Sequence, residues 1–406
     1  MVKVVVASSK LGLEFGSRLS RDVEQGLASR GLGGLFAGLV TETEHVSRLT
    51  DCDVGVVVVA TGGTEELIVA LGERCQLTYV LYHYAYNSLP ATLEAAALLR
   101  MRGRRVRLGE YRGPEDAAGL VERIVRVVEG VQTLRGCRLG VIGGASPWLV
   151  YSRVDPEVVK KKLGSEVVYI PMEELLKEFD ASPPPLRESV LREAREVLVD
   201  SVEVEKALRL YSALESLAKR HGLCGLTVKC FDLITLRRVT ACLPMALFNT
   251  RLFPAACEGD VPLLLSMALG ELVTRQPVFM GNPAVVRRDE VLIAHCTAPL
   301  VSSFRLMTHF ESGLGVGVSV DYPVGAGVTV YRLTPDLETL RVGVGRVKQW
   351  SWRGDMCRTQ VLVEMKGAER IVRESIGNHY ALVLGDWSNE LSLAGELLGL
   401  RVEELE

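Results

Sequence analysis

Apolar positions in the first third of the chain alternate between two periods. Lys3–Ala7 is a continuous β-rich run, and the segment after it places Phe15, Leu19, Val23 and Leu27 on one helical stripe. The run Asp53–Ala60 (DVGVVVVA) is apolar at nearly every position, as a strand is when both faces of its sheet are covered. It breaks at Thr61-Gly62-Gly63-Thr64 and enters a helix at Glu65. Leu77–Tyr82 reads as the next strand, Asn87-Ser88-Leu89-Pro90 as a capped helix start, Arg105–Leu108 as a strand and Pro114–Leu134 as a helix. This βα alternation predicts an open, doubly wound parallel sheet over residues 1–135.

A second α/β unit is expected over 136–225. It has a strand at Arg138–Ile142, a helix at Pro156–Leu163, a strand at Glu166–Ile170 and a helix at Met172–Phe179. After the break Ser182-Pro183-Pro184-Pro185, helical spacing predicts a long helical region over Leu186–His221, with Leu191, Ala194 and Leu198 on its early stripe. Residues 226–406 change character. A helix after Ala255 is followed by Gly-bounded β runs at Val291–Thr297, Gly315–Val320, Gly327–Arg332, Arg341–Gln349, Thr359–Glu364 and Tyr380–Leu384, and a helix at Trp387–Leu398. The expectation is a mostly antiparallel, barrel-like C-terminal domain. The fold class is therefore α/β, two parallel-sheet domains followed by a β-barrel-like one.

Composition narrows the function classes. With 48% apolar residues and a net charge of −3 with interleaved signs, the chain has ample core and no basic stripe for nucleic acid. No apolar run approaches a membrane span, and no basic block precedes an apolar N-terminal run, so a cytoplasmic protein without a signal peptide is expected. The nine cysteines include no CxxC pair; Cys137, Cys242 and Cys296 read as small core residues. The excess of Arg over Lys and the scarcity of Asn and Gln hint at a thermophile. In that setting a bridge between Cys224 and Cys230 enters consideration.

Candidate chemistry centres on Ala255–Asn282, which opens with Glu258 before a helix and closes with Asn282 after a short strand. Three loops at the carboxyl ends of predicted strands, Thr61–Thr64, Asn87–Ser88 and Gly143–Trp148, offer hydroxyl, amide and indole donors suited to a polyol or a phosphate; the plain alternative is ordinary βα turns. There is no GxGxxG or P-loop pattern. His295, His309 and His379 sit at strand ends or Gly-bounded turns and, with Glu258, Asn282 and Glu311, form a candidate site. An oxygen-rich set with one imidazole suits Mn²⁺ or Mg²⁺ better than Zn²⁺. Asp260, two residues before Pro262, reads first as a helix cap. Lys229, between apolar residues, is either a Schiff-base lysine or a partner of Asp232.

The strings VKCFDLI, AACEGD, VFMGNP, IAHCTAP, THFESGLGVG, CRTQV and GNHYALVLGD, together with NSLPATLE and GGASPWLV, resemble the L-fucose isomerase-like family, related to the L-arabinose isomerases. The resemblance spans nearly the whole chain. It implies a cytoplasmic homo-oligomer, a trimer or hexamer, with active sites between subunits. It also implies Mn²⁺-assisted interconversion of an aldose and a ketose through an enediol. By position, Glu258 matches the family's metal-binding glutamate and His379 its histidine, while the aspartate position falls on Asn282. The metal set so implied is Glu258, Asn282 and His379. The catalytic candidates are Glu258, Asn282, His295, His309 and Glu311, and the substrate-binding ones Asn87, Ser88, Ser146, Trp148, Lys229 and Asp260. An amide is a poor base at neutral pH, so either Asp260, Glu311, His295 or His309 supplies the second base or the reaction differs. The readings are a sugar isomerase acting on a deoxy sugar, a pentose or a modified sugar; a lyase or transferase on the same scaffold; and a sugar-binding protein without turnover.

Overall fold

A computed structural model of the chain describes residues 1–183, 188–349 and 351–405. Met1–Glu129 and Gly130–Glu406 are two compact units. In the first, β1 (Val2–Ala7), β2 (Phe36–Val40), β3 (Cys52–Val59), β4 (Cys75–Tyr82) and β5 (Arg105–Glu110) pair in the order β2-β1-β3-β4-β5, all parallel. The valine runs of β1 and β3 are almost wholly buried, because crossover helices cover both faces of a sheet whose strand order reverses. β2 was not marked by the apolar pattern: its residues are mostly half-buried, as befits an edge strand.

In the second unit, β6 (Arg138–Ile142), β7 (Glu166–Ile170), β8 (Glu196–Val197), β9 (Gly225–Val228) and β10 (Ala255–Cys257) follow one another. Four of them form a parallel sheet in the order β10-β9-β6-β7. This sheet therefore takes in β9 and β10, beyond residue 225. Its order reverses between β6 and β9, which opens a crevice at their carboxyl ends.

The expected long helix over Leu186–His221 is interrupted. Residues 184–187, including part of the proline break, lie outside the described residues; helices run over Glu188–Glu193 and Ser201–His221. Between them β8 pairs with β13 (Phe304–Met307), and Leu198 N–H bonds the Leu306 carbonyl at 2.8 Å. Strand pairing overrides the local helical spacing here, and Leu198 is exposed. β13 also pairs with β14 (Gly317–Val320).

The C-terminal part is a closed six-stranded antiparallel barrel. β11 (Phe279–Arg287), β12 (Glu290–His295), β15 (Gly327–Leu333), β16 (Thr339–Lys348), β17 (Thr359–Glu364) and β18 (Tyr380–Leu384) pair in the order β15-β18-β11-β12-β17-β16, and β16 returns to β15. β19 (Arg401–Leu405) adds parallel to β16. The helix Val261–Thr274, buried at nearly every position, joins the second parallel sheet to the barrel.

Each parallel sheet carries a disulfide at its amino edge. Cys52 is bonded to Cys75 across β3 and β4, and Cys137, just before β6, is bonded to Cys224, just before β9. The pairing considered from sequence is thereby corrected: Cys224 bridges Cys137, and Cys230 is a free buried thiol. Cys230 follows β9, at the opposite end of that strand from Cys224, out of a bridge's reach.

Candidate active site

The turn after β10 is built around two left-handed residues. Glu258 has φ +67° and Gly259 φ +76°. A side chain on Gly259 would lie 2.6 Å from Ala145 Cα, so glycine lets this turn press against the loop after β6. The turn is held by Ser146 N–H donating to the Glu258 carbonyl at 2.8 Å and Gly259 N–H donating to Thr227 Oγ1 at 3.1 Å. A non-glycine residue in the left-handed region is uncommon and concentrates at functional turns. Here it directs the Glu258 carboxylate outward from the strand end.

One oxygen of that carboxylate, Oε2, accepts from Trp148 Nε1–H at 2.6 Å; the other, Oε1, lies 3.6 Å from His379 Nε2. His379 is fully buried, and its Nδ1 lies 2.9 Å from Asp260 Oδ2. Asp260 also caps the helix Val261–Thr274 through Leu263 N–H at 2.9 Å, so the cap expectation describes one of its two duties. His295, at the end of β12, sets its ring 5.8 Å from that of His379 and engages Thr297 Oγ1 through Nδ1 at 2.9 Å. Ligand atoms of Glu258, His295 and His379 lie within 4.8 Å of one another.

Electrostatics divide the three. Burial alone would raise the pKa of Glu258, but hydrogen bonding to His379, the charges of His379 and His295, and the Trp148 N–H outweigh it and hold the carboxyl down to about 2. Burial alone would lower that of His379; the Asp260 and Glu258 carboxylates overcome it and push the imidazole up to about 9. At His295 burial and the neighbouring His379 charge outweigh the raising effect of Cys296 and Glu258 and bring the imidazole down to about 4.

This donor set fits a divalent transition ion. Both imidazoles have Nδ1 engaged by a buried partner, which orients the ring and leaves Nε2 for a ligand. Two nitrogens and one carboxylate differ from the expected oxygen-rich set, and His295 joins Glu258 and His379 in the convergent group. Asn282 is half-buried on β11 opposite Ala294, the residue before His295.

The other sequence candidates have the following places. His309 is buried, bonds Ser312 Oγ at 3.0 Å through Nδ1 and meets the Phe231 ring edge-on at 5.8 Å; Glu311 is exposed on the same loop. Phe231 also meets Trp148 edge-on at 5.0 Å. Lys229 directly follows β9 and pairs with Asp232 at 3.1 Å, the plainer of its two readings. Ser146 is fully buried and serves the Glu258 turn through its backbone. In the first unit, Asn87 (φ +56°) lines a cavity of about 500 Å³ with Ser9, Thr61, Gly62, Gly63 and Tyr86. Ser88 is buried and donates to the Val59 carbonyl at 2.9 Å.

Sequence reading missed Phe231, Thr297, Ser152 and Arg332. Only Arg332 carried a signal, a lone charge inside the apolar run VTVYRL.

Among known proteins, the chain is 25% identical over 348 residues to the sulfoquinovose isomerase of Clostridium sp. (strain MSTE9), covering 79% of this chain and 76% of that protein. It is 24% identical over 315 residues to the sulfoquinovose isomerase of Alkalicoccus urumqiensis, covering 72% and 71%. With that of Priestia megaterium (strain ATCC 12872 / QMB1551) it shares 22% over 312 residues, covering 72% and 70%. No protein-family model matches the chain. The similarity over most of both chains supports a sugar isomerase. No helix among the described residues is long and apolar enough to cross a membrane.

Proposed function

We propose that this protein is an aldose–ketose isomerase working by proton transfer between C1 and C2 of a sugar, in a centre made of Glu258, His295 and His379. The observation that carries the reading is the convergence of one ionised carboxylate and two oriented imidazoles at the carboxyl edge of a parallel sheet. The likeness to enzymes named sulfoquinovose isomerase agrees with it and makes sulfoquinovose the first substrate to test, beside L-fucose and D-arabinose. The L-fucose isomerase-like resemblance points to the same reaction.

A divalent ion held by Glu258, His295 and His379 would polarise the carbonyl and the adjacent hydroxyl of the sugar. Glu258 takes the proton from C2 as the C1 carbonyl oxygen gains one, giving the enediol. It returns the proton to C1 as the C2 hydroxyl loses its own. The hydroxyl protons need a second carrier. Asn282 cannot titrate and Asp260 is buried behind His379, which leaves His309 and Glu311 on the loop after β13. Trp148 holds Glu258 Oε2 and presents a half-exposed indole face on which the apolar side of a sugar ring can rest. Lys229, paired with Asp232, gives the Schiff-base lyase reading no support.

The test is incubation of the purified protein with each sugar in deuterated buffer, with and without Mn²⁺. Proton NMR should show ketose formation and deuterium at C2 of recovered aldose from one of them. Neither product nor exchange, across the panel and with Mn²⁺, Co²⁺ or Mg²⁺ added, would refute the proposal.

A further inference from the structure

We infer that Arg332 is the positioning residue of this centre: from inside the barrel wall it fixes Asp260 and the backbone of His379 together, and so aims His379 Nε2 at Glu258. The inference rests on the reading of Glu258, His295 and His379 as the reacting centre. Arg332 is the largest fully buried side chain in the described structure, with 0% exposure. A charge there is strongly destabilising unless its donors are matched. All five guanidinium N–H donors find acceptors. Nε donates to the Ile376 carbonyl at 2.8 Å and Nη1 to the His379 carbonyl. Nη2 donates to Ser152 Oγ at 2.7 Å, and Nη1 and Nη2 both reach Asp260 Oδ2 at 3.3 Å.

Those acceptors come from three segments. Ser152 follows the β6 loop, Asp260 follows the Glu258 turn, and Ile376 and His379 lead into β18. Gly377 is a second, independent sign. It has φ +125°, and a side chain there would lie 2.6 Å from Nη2, so the chain from Ile376 to His379 is wrapped around the guanidinium. Asp260 then takes His379 Nδ1, which fixes both the position and the rotation of the ring. No hydrogen bond joins Arg332 to Glu258 or His295, so it acts through His379 alone. A lysine, with one compact ammonium and three donors, cannot reproduce this fork.

The experiment uses the full chain with Arg332→Lys, Ser152→Ala and the double variant Asp260→Asn/Arg332→Gln. The double variant removes both charges at once and leaves no buried unpaired ion, so it should keep its circular dichroism spectrum. The expected result is a fall in kcat of about 30-fold or more, KM changed less than about threefold, and Mn²⁺ bound at least about 10-fold more weakly, read by EPR of the free ion. Ser152→Ala should show the same split at roughly 2–5-fold, with Arg332→Lys between them. A folded double variant with kcat and Mn²⁺ affinity within about threefold of the parent, or a loss confined to KM, would overturn the inference. Should the parent itself bind no Mn²⁺ and turn over no sugar, the reading of the centre fails separately. NMR of ¹⁵N-labelled histidine then decides Arg332. At a pH where His379 is neutral, it should hold its proton on Nδ1 in the parent and mix tautomers in Arg332→Lys, which keeps Asp260; an unchanged signal refutes the role.

Discussion

The two parallel sheets offer similar stages and very different casts. Each has an amino edge closed by a disulfide and a carboxyl edge where the strand order reverses. At the carboxyl edge of the first sheet, Ser9, Thr61 and Asn87 line an open cavity with hydroxyl and amide groups. At the second, the turn after β10 projects Glu258, and the barrel supplies His295 and His379 to meet it. A switch point thus provides a crevice and hydrogen-bond donors. Proton chemistry needs in addition a second structural layer that brings titratable groups against the strand ends.

The largest expected break of this comparison is Glu258→Gln, which should lower kcat by about 10²–10⁴-fold in a steady-state assay with the fold intact. Retention of activity would move the base elsewhere. Next is His295→Ala, with metal affinity lowered by about 100-fold or more by metal titration, since even an outer partner of a ligand is worth about 10–100-fold. Asn282→Ala should cost less than His295→Ala; the reverse order would return Asn282 to the metal set.

The pH dependence of the metal-free protein sharpens the same point. His379 is raised from 6.5 to about 9, so its stabilising contribution is complete below 6.5 and disappears as pH rises through about 9. Glu258 is lowered from 4.5 to about 2, so its contribution is complete above 4.5 and disappears as pH falls toward 2. His295, lowered from 6.5 to about 4, costs stability as pH falls through that range, so thermal denaturation in chelator should show maximum stability near pH 6.5, with about 3 kcal/mol at stake on the alkaline side. His379→Gln should remove the alkaline limb.

Smaller effects are expected away from the second sheet's carboxyl edge. Asn87→Ala should change kcat by less than about 10-fold, with any effect falling on KM; a larger loss in kcat would give the first sheet a part in the chemistry. Reduction of the two disulfides, which close 23- and 87-residue separations, should lower stability by about 3–5 kcal/mol each while leaving kcat/KM of the still-folded protein unchanged.

Much of the fold was legible. Strands at Arg138–Ile142, Glu166–Ile170, Thr359–Glu364 and Tyr380–Leu384 and the helix Pro156–Leu163 lie where the apolar pattern places them, because burial on one or both faces writes period and length directly into sequence. Segments β2, β8 and β13 were not legible: edge and short strands are made by their partners rather than by their own residues.

The sequence alone determined the parallel-sheet and barrel classes, the place of Glu258 just before a helix, and the presence of His379 at a Gly-bounded turn. Only the tertiary structure decided that His295 converges with Glu258 and His379, that Asp260 lies behind His379, and that Arg332 ties them together. The reason is physical. Local pattern reports which residues are buried and how the chain turns, whereas a site is a set of distances between strand ends far apart in sequence. Those distances are set by sheet order, barrel closure and the matching of one buried charge.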